Sequence, residues 1–173
     1  NKSEIDILEE TYFNIINSKT ASLFADATKV GACISNRNKK EKDALESYGR
    51  NLGLAFQIAD DALDYYSNKM IFGKEIGKDF FEGKVTLPII FLYQKADLNE
   101  KIFLEKTFKK KNRSKTEYNE TQNLLQKYNS IDLCFKRAEH FVTISYNALN
   151  IFKPSREKII LQNLTSYSLE RSF

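Results

Sequence analysis

Cysteine is scarce in this sequence: Cys33 and Cys134 are the only two in 173 residues, and each sits in an apolar helical pattern far from the other. A disulfide framework and a zinc site are both excluded, and the usage fits a reducing, cytoplasmic setting. Histidine is scarcer still. His140, the single one, lies in Arg137-Ala138-Glu139-His140-Phe141 with no second ligand or nucleophile at matching spacing, so it reads as structural or exposed rather than catalytic. Long apolar runs are also missing. Stretches such as Ile89 to Tyr93 fall far below the roughly 20 residues that span a bilayer, and no signal peptide is expected. A transmembrane segment is excluded on this reading, while peripheral membrane contact stays compatible with it. The basic stretch from Lys106 to Lys115 lacks interleaved aromatics, which argues against a nucleic-acid platform and for a solvated connector.

Proline is limited to Pro88 and Pro154, and no Gly-, Ser- or Pro-rich linker, internal repeat or low-complexity tract divides the chain. With 42% hydrophobic and 13% aromatic side chains, residues 1–173 can bury one sizeable core and are expected to form part of a single domain. Apolar residues recur at helical spacing and strict alternation is hard to find, so the expected class is all-α. The periodicity predicts helices over about 4–17, 19–35, 39–66, 84–94, 99–109, 115–128, 131–152 and 155–171, with loops at 36–38, 68–84, 96–98 and 153–154. Ser155 after Pro154 is the expected start of the last helix, because its hydroxyl can accept from amides of the first turn. The chain opens on Asn1 inside a helical pattern, which suggests that it begins within a fold.

The informative string runs from Leu52 to Tyr66. Gln57, Asp60, Asp61 and Asp64 stand at i, i+3, i+4 and i+7, so a helix lines them along one stripe. Every residue between Leu52 and Leu63 outside that stripe is apolar or glycine, the pattern of a helix buried nearly all round with one polar edge. Three carboxylates there repel one another and are costly to bury unpaired. With no His or Cys beside them, they suit a hard ion such as Mg²⁺, which is commonly shared with substrate phosphates. Lys19-Thr20 at an expected helix start, and Lys74 and Lys84 about a Gly-bearing loop, would complement a metal diphosphate. Gly49 and Gly53, one turn apart, permit close helix approach, as do Ala21, Ala25, Ala27 and Gly31.

Four strings, Lys19-Thr20-Ala21-Ser22-Leu23-Phe24, Gly49-Arg50-Asn51-Leu52-Gly53, Phe56 through Asp64, and Glu82-Gly83-Lys84-Val85-Thr86-Leu87-Pro88, together resemble the long-chain trans-polyprenyl diphosphate synthases, octaprenyl type in particular. The resemblance covers essentially the whole chain and corresponds to the C-terminal half of that family. It implies an isoprenoid-synthase-type helical bundle, partial here, because no residue matches the family's first Asp-rich motif or its isopentenyl diphosphate site. By the same resemblance Asp60, Asp61 and Asp64 hold Mg²⁺, while Lys19, Thr20, Gln57 and Lys74 contact the allylic diphosphate, with Lys84 a further candidate. Asp60, Asp61 and Lys74 are the implied catalytic residues. Lys78 stands where an acidic residue is common in the family, and Asn129 where glycine is expected in a helix turn.

The implied activity is prenyl transfer from an allylic diphosphate to isopentenyl diphosphate, for a quinone side chain. A non-catalytic partner subunit or decayed fragment, and a helical terpene cyclase, are the rival readings. The chain alone is expected to be incomplete, to expose an apolar face, and to work as a homo- or hetero-oligomer.

Overall fold

A computed structural model describes residues 9–66 and 76–170, and all regular structure among these is helical. The elements are α1 (Glu9–Ile16), a π-helical turn (Asn17–Ala21), α2 (Ser22–Ile34), α3 (Lys39–Tyr66), α4 (Lys78–Glu82), α5 (Leu87–Lys95), α6 (Leu98–Lys109), α7 (Lys115–Lys127), α8 (Ser130–Ala148), a 3₁₀ turn (Leu149–Ile151) and α9 (Arg156–Glu170). The all-α class is as expected. α3 runs over the residues that the periodicity predicts.

Three expectations are corrected. The break near residue 18, with Lys19-Thr20 at a helix start, does not occur; the helix continues through a wider turn in which the Ser22 N–H bonds to the Asn17 carbonyl. No glycine or proline lies between Ile16 and Ser22 to stop the helix, and one extra residue is absorbed as a π turn instead. The predicted loop over 68–84 contains α4, a single turn set between Gly77 (φ 78°) and Gly83 (φ 77°). α5 accordingly starts at Leu87 rather than at 84, with Pro88 in its first turn, where the missing N–H has no partner to lose.

Helix ends follow local chemistry. Asn36 after α2 is left-handed (φ 50°), and the Asn36 and Arg37 amides return to the Cys33 and Ala32 carbonyls at 3.1 and 3.0 Å, closing the helix with a Schellman motif. Asn129, between α7 and α8, is left-handed too (φ 50°), which is why glycine suits that position. Asp97 with Glu100 and Ser114 with Glu117 form capping boxes on α6 and α7. Ser155 Oγ accepts from the Lys158 amide at 3.1 Å, the start expected for the last helix.

The chain divides into two compact units, one of Asn1–Tyr12 with Asp60–Cys134 and one of Phe13–Ala59 with Phe135–Phe173. In the first, Phe80, Ile89, Leu92, Leu104 and Leu125 form the core, with Phe80 set edge-on against Phe108 at 5.5 Å. In the second, Tyr48, Leu52 and Leu149 are buried with Phe24, Leu45 and Leu161 packed against them. The Tyr48 hydroxyl donates to the Leu161 carbonyl at 2.9 Å, and Ser145 Oγ donates to the Tyr48 carbonyl at 2.8 Å. α2 leaves Leu23, Val30 and Ile34 exposed, and α9 leaves Ile159, Ile160, Leu164 and Tyr167 exposed. Cys33 is exposed and Cys134 buried, with no disulfide between them, His140 is exposed, and no helix of the described residues is long and apolar enough to cross a membrane.

Candidate functional site

α3 carries Gln57 in one unit and Asp60, Asp61 and Asp64 in the other. Residues 52–59 are buried apart from half-buried Phe56, so the apolar surround expected for the motif is present. The three aspartates differ in setting. Asp60 and Asp64 are half-buried, whereas Asp61 is 5% exposed and accepts a 2.7 Å hydrogen bond from the Tyr12 hydroxyl. Burial, and then the adjacent Asp61 charge, push the Tyr12 phenol far above its usual range. Tyr12 therefore stays a donor at any ordinary pH. Asp64 accepts from the Asp79 amide at 2.9 Å, and the Gly77 amide donates to the Asp64 carbonyl at 2.9 Å. α4 is thus tied to the last turn of α3.

Lys84 lies just past α4, half exposed, with its ammonium 3.0 Å from Asp79 and 2.5 Å from Glu82. Its hydrogen bonds donated to Glu82 and then to Asp79 raise its pKa. Lys78, at the position where an acid is common in the family, is exposed and reaches Glu82 at 3.7 Å. In the same unit a cavity of about 450 Å³ is lined by Tyr65, Tyr66, Gln122 and Gln126 among others; it holds none of the predicted site residues. Lys74 lies outside the described residues.

The second unit contains the other predicted contacts. Thr20, in the π turn, donates from Oγ1 to Gln57 Oε1 at 2.8 Å, and Gln57 is itself buried at 9% exposure. Lys19 is exposed on the same turn. The close approach that allows this contact comes from glycine: a Cβ on Gly53 would lie 2.7 Å from Ala21 Cα, and one on Gly49 would lie 2.3 Å from the Phe24 carbonyl oxygen. Ala21 and Ala25 are buried as the small-residue pattern implies, whereas Ala27 and Gly31 are exposed and a Cβ on Gly31 would touch nothing.

Sequence reasoning missed two participants. Tyr12 gives no local signal, because its partner Asp61 is 49 residues away. Asp79, which binds Lys84 through its side chain and Asp64 through its amide, stands in the predicted loop over 68–84 without a role. Among the described residues no three His, Cys, Asp or Glu side chains are grouped so that they could hold an ion together.

A family model described as polyprenyl synthetase matches residues 1–125. The chain belongs to the polyprenyl synthetase family. Over all 173 residues it is 30% identical to an octaprenyl diphosphate synthase of Haemophilus influenzae, covering 100% of this chain and 52% of that protein. Its fold superposes with a TM-score of 0.92 on a decaprenyl diphosphate synthase from Rhodobacter capsulatus, 31% identical, over 99% of this chain and 53% of the other. The same score and identity relate it to a polyprenyl synthase from Caulobacter crescentus solved with calcium and isoprenyl diphosphate, over 99% of this chain and 52% of that one. The octaprenyl-type resemblance read from four short strings is borne out. The chain spans about half the length of the family members it matches.

Proposed function

We propose that this chain is the C-terminal part of a trans-prenyltransferase that elongates an allylic diphosphate with isopentenyl diphosphate, depends on Mg²⁺, and serves quinone side-chain synthesis. The family match over residues 1–125, with the D-D-x-x-D string on an unbroken α3, is the observation that carries this reading. In the reaction the allylic C–O bond breaks, diphosphate leaves, the isopentenyl double bond forms the new C–C bond, and a proton is lost.

The donor set fits a hard cation. Asp60 and Asp64, half-buried and one helical turn apart, are oxygen ligands of the kind Mg²⁺ takes, and that ion keeps several waters and uses only one or two carboxylates beside substrate phosphates. A complete three-residue cage is not required for such a site. Asp61, which accepts from Tyr12, adds negative charge beside them. When bound, the metal neutralises charge gathering on the departing diphosphate. By resemblance Lys19 and Thr20 contact the diphosphate, with Gln57 accepting from the threonine hydroxyl; Lys84 is a further candidate by the same resemblance and would have to exchange its partners Asp79 and Glu82 to take that role. Lys74 has the same role by resemblance.

Elongation also needs the family's first Asp-rich motif, which no residue of this sequence matches. The test is radiolabel incorporation from isopentenyl diphosphate, with the chain alone and with a polypeptide carrying that motif. Elongation is expected only in the mixture and is lost in Asp60→Ala. Calorimetry is expected to show diphosphate binding that requires Mg²⁺; equal binding without metal removes the motif from the mechanism. No elongation with any partner favours the partner-subunit or decayed-fragment reading.

A further inference from the structure

Arg50, Gly53 and Gln57 stand at i, i+3 and i+7 on α3, and all three meet the π turn. Gly53 admits the Ala21 backbone, and Gln57 accepts from Thr20 at 2.8 Å. Arg50 reaches the first residue of the turn: its Nη1 donates to Asn17 Oδ1 at 2.8 Å, while its Nη2 donates to Glu46 Oε1 at 3.0 Å. Glu46 in turn accepts from Lys29 Nζ of α2 at 2.6 Å, and these two hydrogen bonds hold the Glu46 carboxyl below its usual range. The entry to the turn, the middle of α3 and the body of α2 are therefore linked through one guanidinium.

A π turn accommodates one residue more than an α turn. If it relaxed to α geometry, the side chains beyond it would rotate by about 100°, the angle of one residue on an α-helix. Lys19 and Thr20 sit in the middle of that turn, so their direction depends on its width. Arg50, Gly53 and Gln57 all belong to the strings already tied to the family, but Arg50 has had no role.

We infer that Arg50 is a positioning residue, which holds the wide turn through Asn17 and so sets the direction of Lys19 and Thr20. The inference rests on the proposal that those two residues contact the diphosphate. Because the Arg50 side chain is 36% exposed, its hydrogen bonds add little to overall stability. They act on local geometry.

The experiment compares the full 173-residue chain with Arg50→Gln, Asn17→Ala, the double variant, Arg50→Lys, Lys19→Ala, and Arg50→Gln combined with Lys19→Ala. Calorimetry with magnesium and inorganic diphosphate reads binding, hydrogen exchange at the Ser22 amide reads the bond that closes the turn, and a melting curve checks folding. Arg50→Gln and Asn17→Ala should each weaken diphosphate binding about tenfold, the scale of one charge-assisted hydrogen bond. The double variant should lose no more than either alone, and Arg50→Gln should have a clearly smaller further effect once Lys19 is alanine, the remainder acting through Thr20. Arg50→Lys, which keeps the charge but lacks the two-pronged guanidinium, should recover part of the loss. Ser22 exchange should quicken in Arg50→Gln with melting nearly unchanged. Unchanged Ser22 exchange overturns the inference, as do additive losses in the double variant. If Lys19→Ala leaves binding intact, the diphosphate role of Lys19 falls, and Ser22 exchange alone then decides whether Arg50 holds the turn.

Discussion

The two units hold their polar motif residues by different means. In the unit built on Phe13–Ala59, the contact between α3 and the preceding helix is close because two glycines remove side chains, and the polar groups meeting there are neutral amide and hydroxyl: Thr20 on Gln57 at 2.8 Å. In the unit that begins again at Asp60, the motif is charged, and its carboxylates are met by fixed donors, the Tyr12 phenol on Asp61 and the Asp79 amide on Asp64. The first arrangement depends on volume. The second depends on keeping buried charge supplied with hydrogen bonds, so the two should fail under different substitutions.

The largest effect should follow from adding volume to the first arrangement. In Gly49→Ala the new methyl would meet the Phe24 carbonyl oxygen at 2.3 Å and Thr28 Oγ1 at 2.4 Å. Thr28 cannot simply turn away, since its hydroxyl donates to the Leu45 carbonyl at 2.6 Å. A loss of about 3 kcal/mol, the upper end for overpacked cores, is expected. Urea unfolding measures it, and a midpoint within experimental error of the parent would show that the helices can separate at no cost.

Removing a donor from the second arrangement should cost less. Tyr12→Phe keeps the ring and deletes the hydroxyl that serves Asp61, leaving a buried carboxylate one hydrogen bond short; the expected loss is about 1–2 kcal/mol. Asp61→Asn in the same background should restore much of it, because a neutral amide needs no such donor. If Tyr12→Phe is neutral while Gly49→Ala is severe, the contrast between the units is stronger than proposed. If the order reverses, the contrast is wrong.

The smallest effect concerns acid. Glu100 is held down at about 2, chiefly by Lys127 with help from Tyr128 and the Asp97 amide, and Glu117 at about 2, chiefly by Lys110 with help from Ser114. Both belong to capping boxes in the unit that contains the aspartate motif. A carboxyl whose folded value is depressed stabilises the fold above its unfolded value and loses that contribution as pH falls toward the folded one. The urea midpoint should therefore decline between about pH 4.5 and pH 2, and the decline should be shallower in Glu117→Gln and Glu100→Gln. Parallel curves for parent and variants would remove these caps from the acid response.

Much of this could be read from the chain. α3 carries its own evidence, since buried small and apolar residues surround a stripe at i, i+3, i+4 and i+7, and the helix spans the expected residues. Ser155, and the capping pairs Asp97 with Glu100 and Ser114 with Glu117, act over three residues, a distance at which sequence and structure coincide. The Lys106–Lys115 stretch was legible only in part. Lys110 does pair outward with Glu117, but Arg113 turns inward, donating to the Phe108 carbonyl at 2.7 Å and filling the space that the missing Gly83 side chain leaves open.

Residue order by itself determined the helical class, the positions of most helix ends, and the aspartate stripe, because periodicity and capping are local properties that a few consecutive residues define. Only the tertiary structure decided that Lys19 and Thr20 lie in a π turn and that Asp61 is buried on Tyr12. A turn one residue wider than α violates no local preference and is selected by what packs against it, here Gly53 and Gln57 more than 30 residues further along. The setting of Asp61 likewise depends on a partner 49 residues away. Such pairings arise when helices meet, and no window of sequence contains both sides of them.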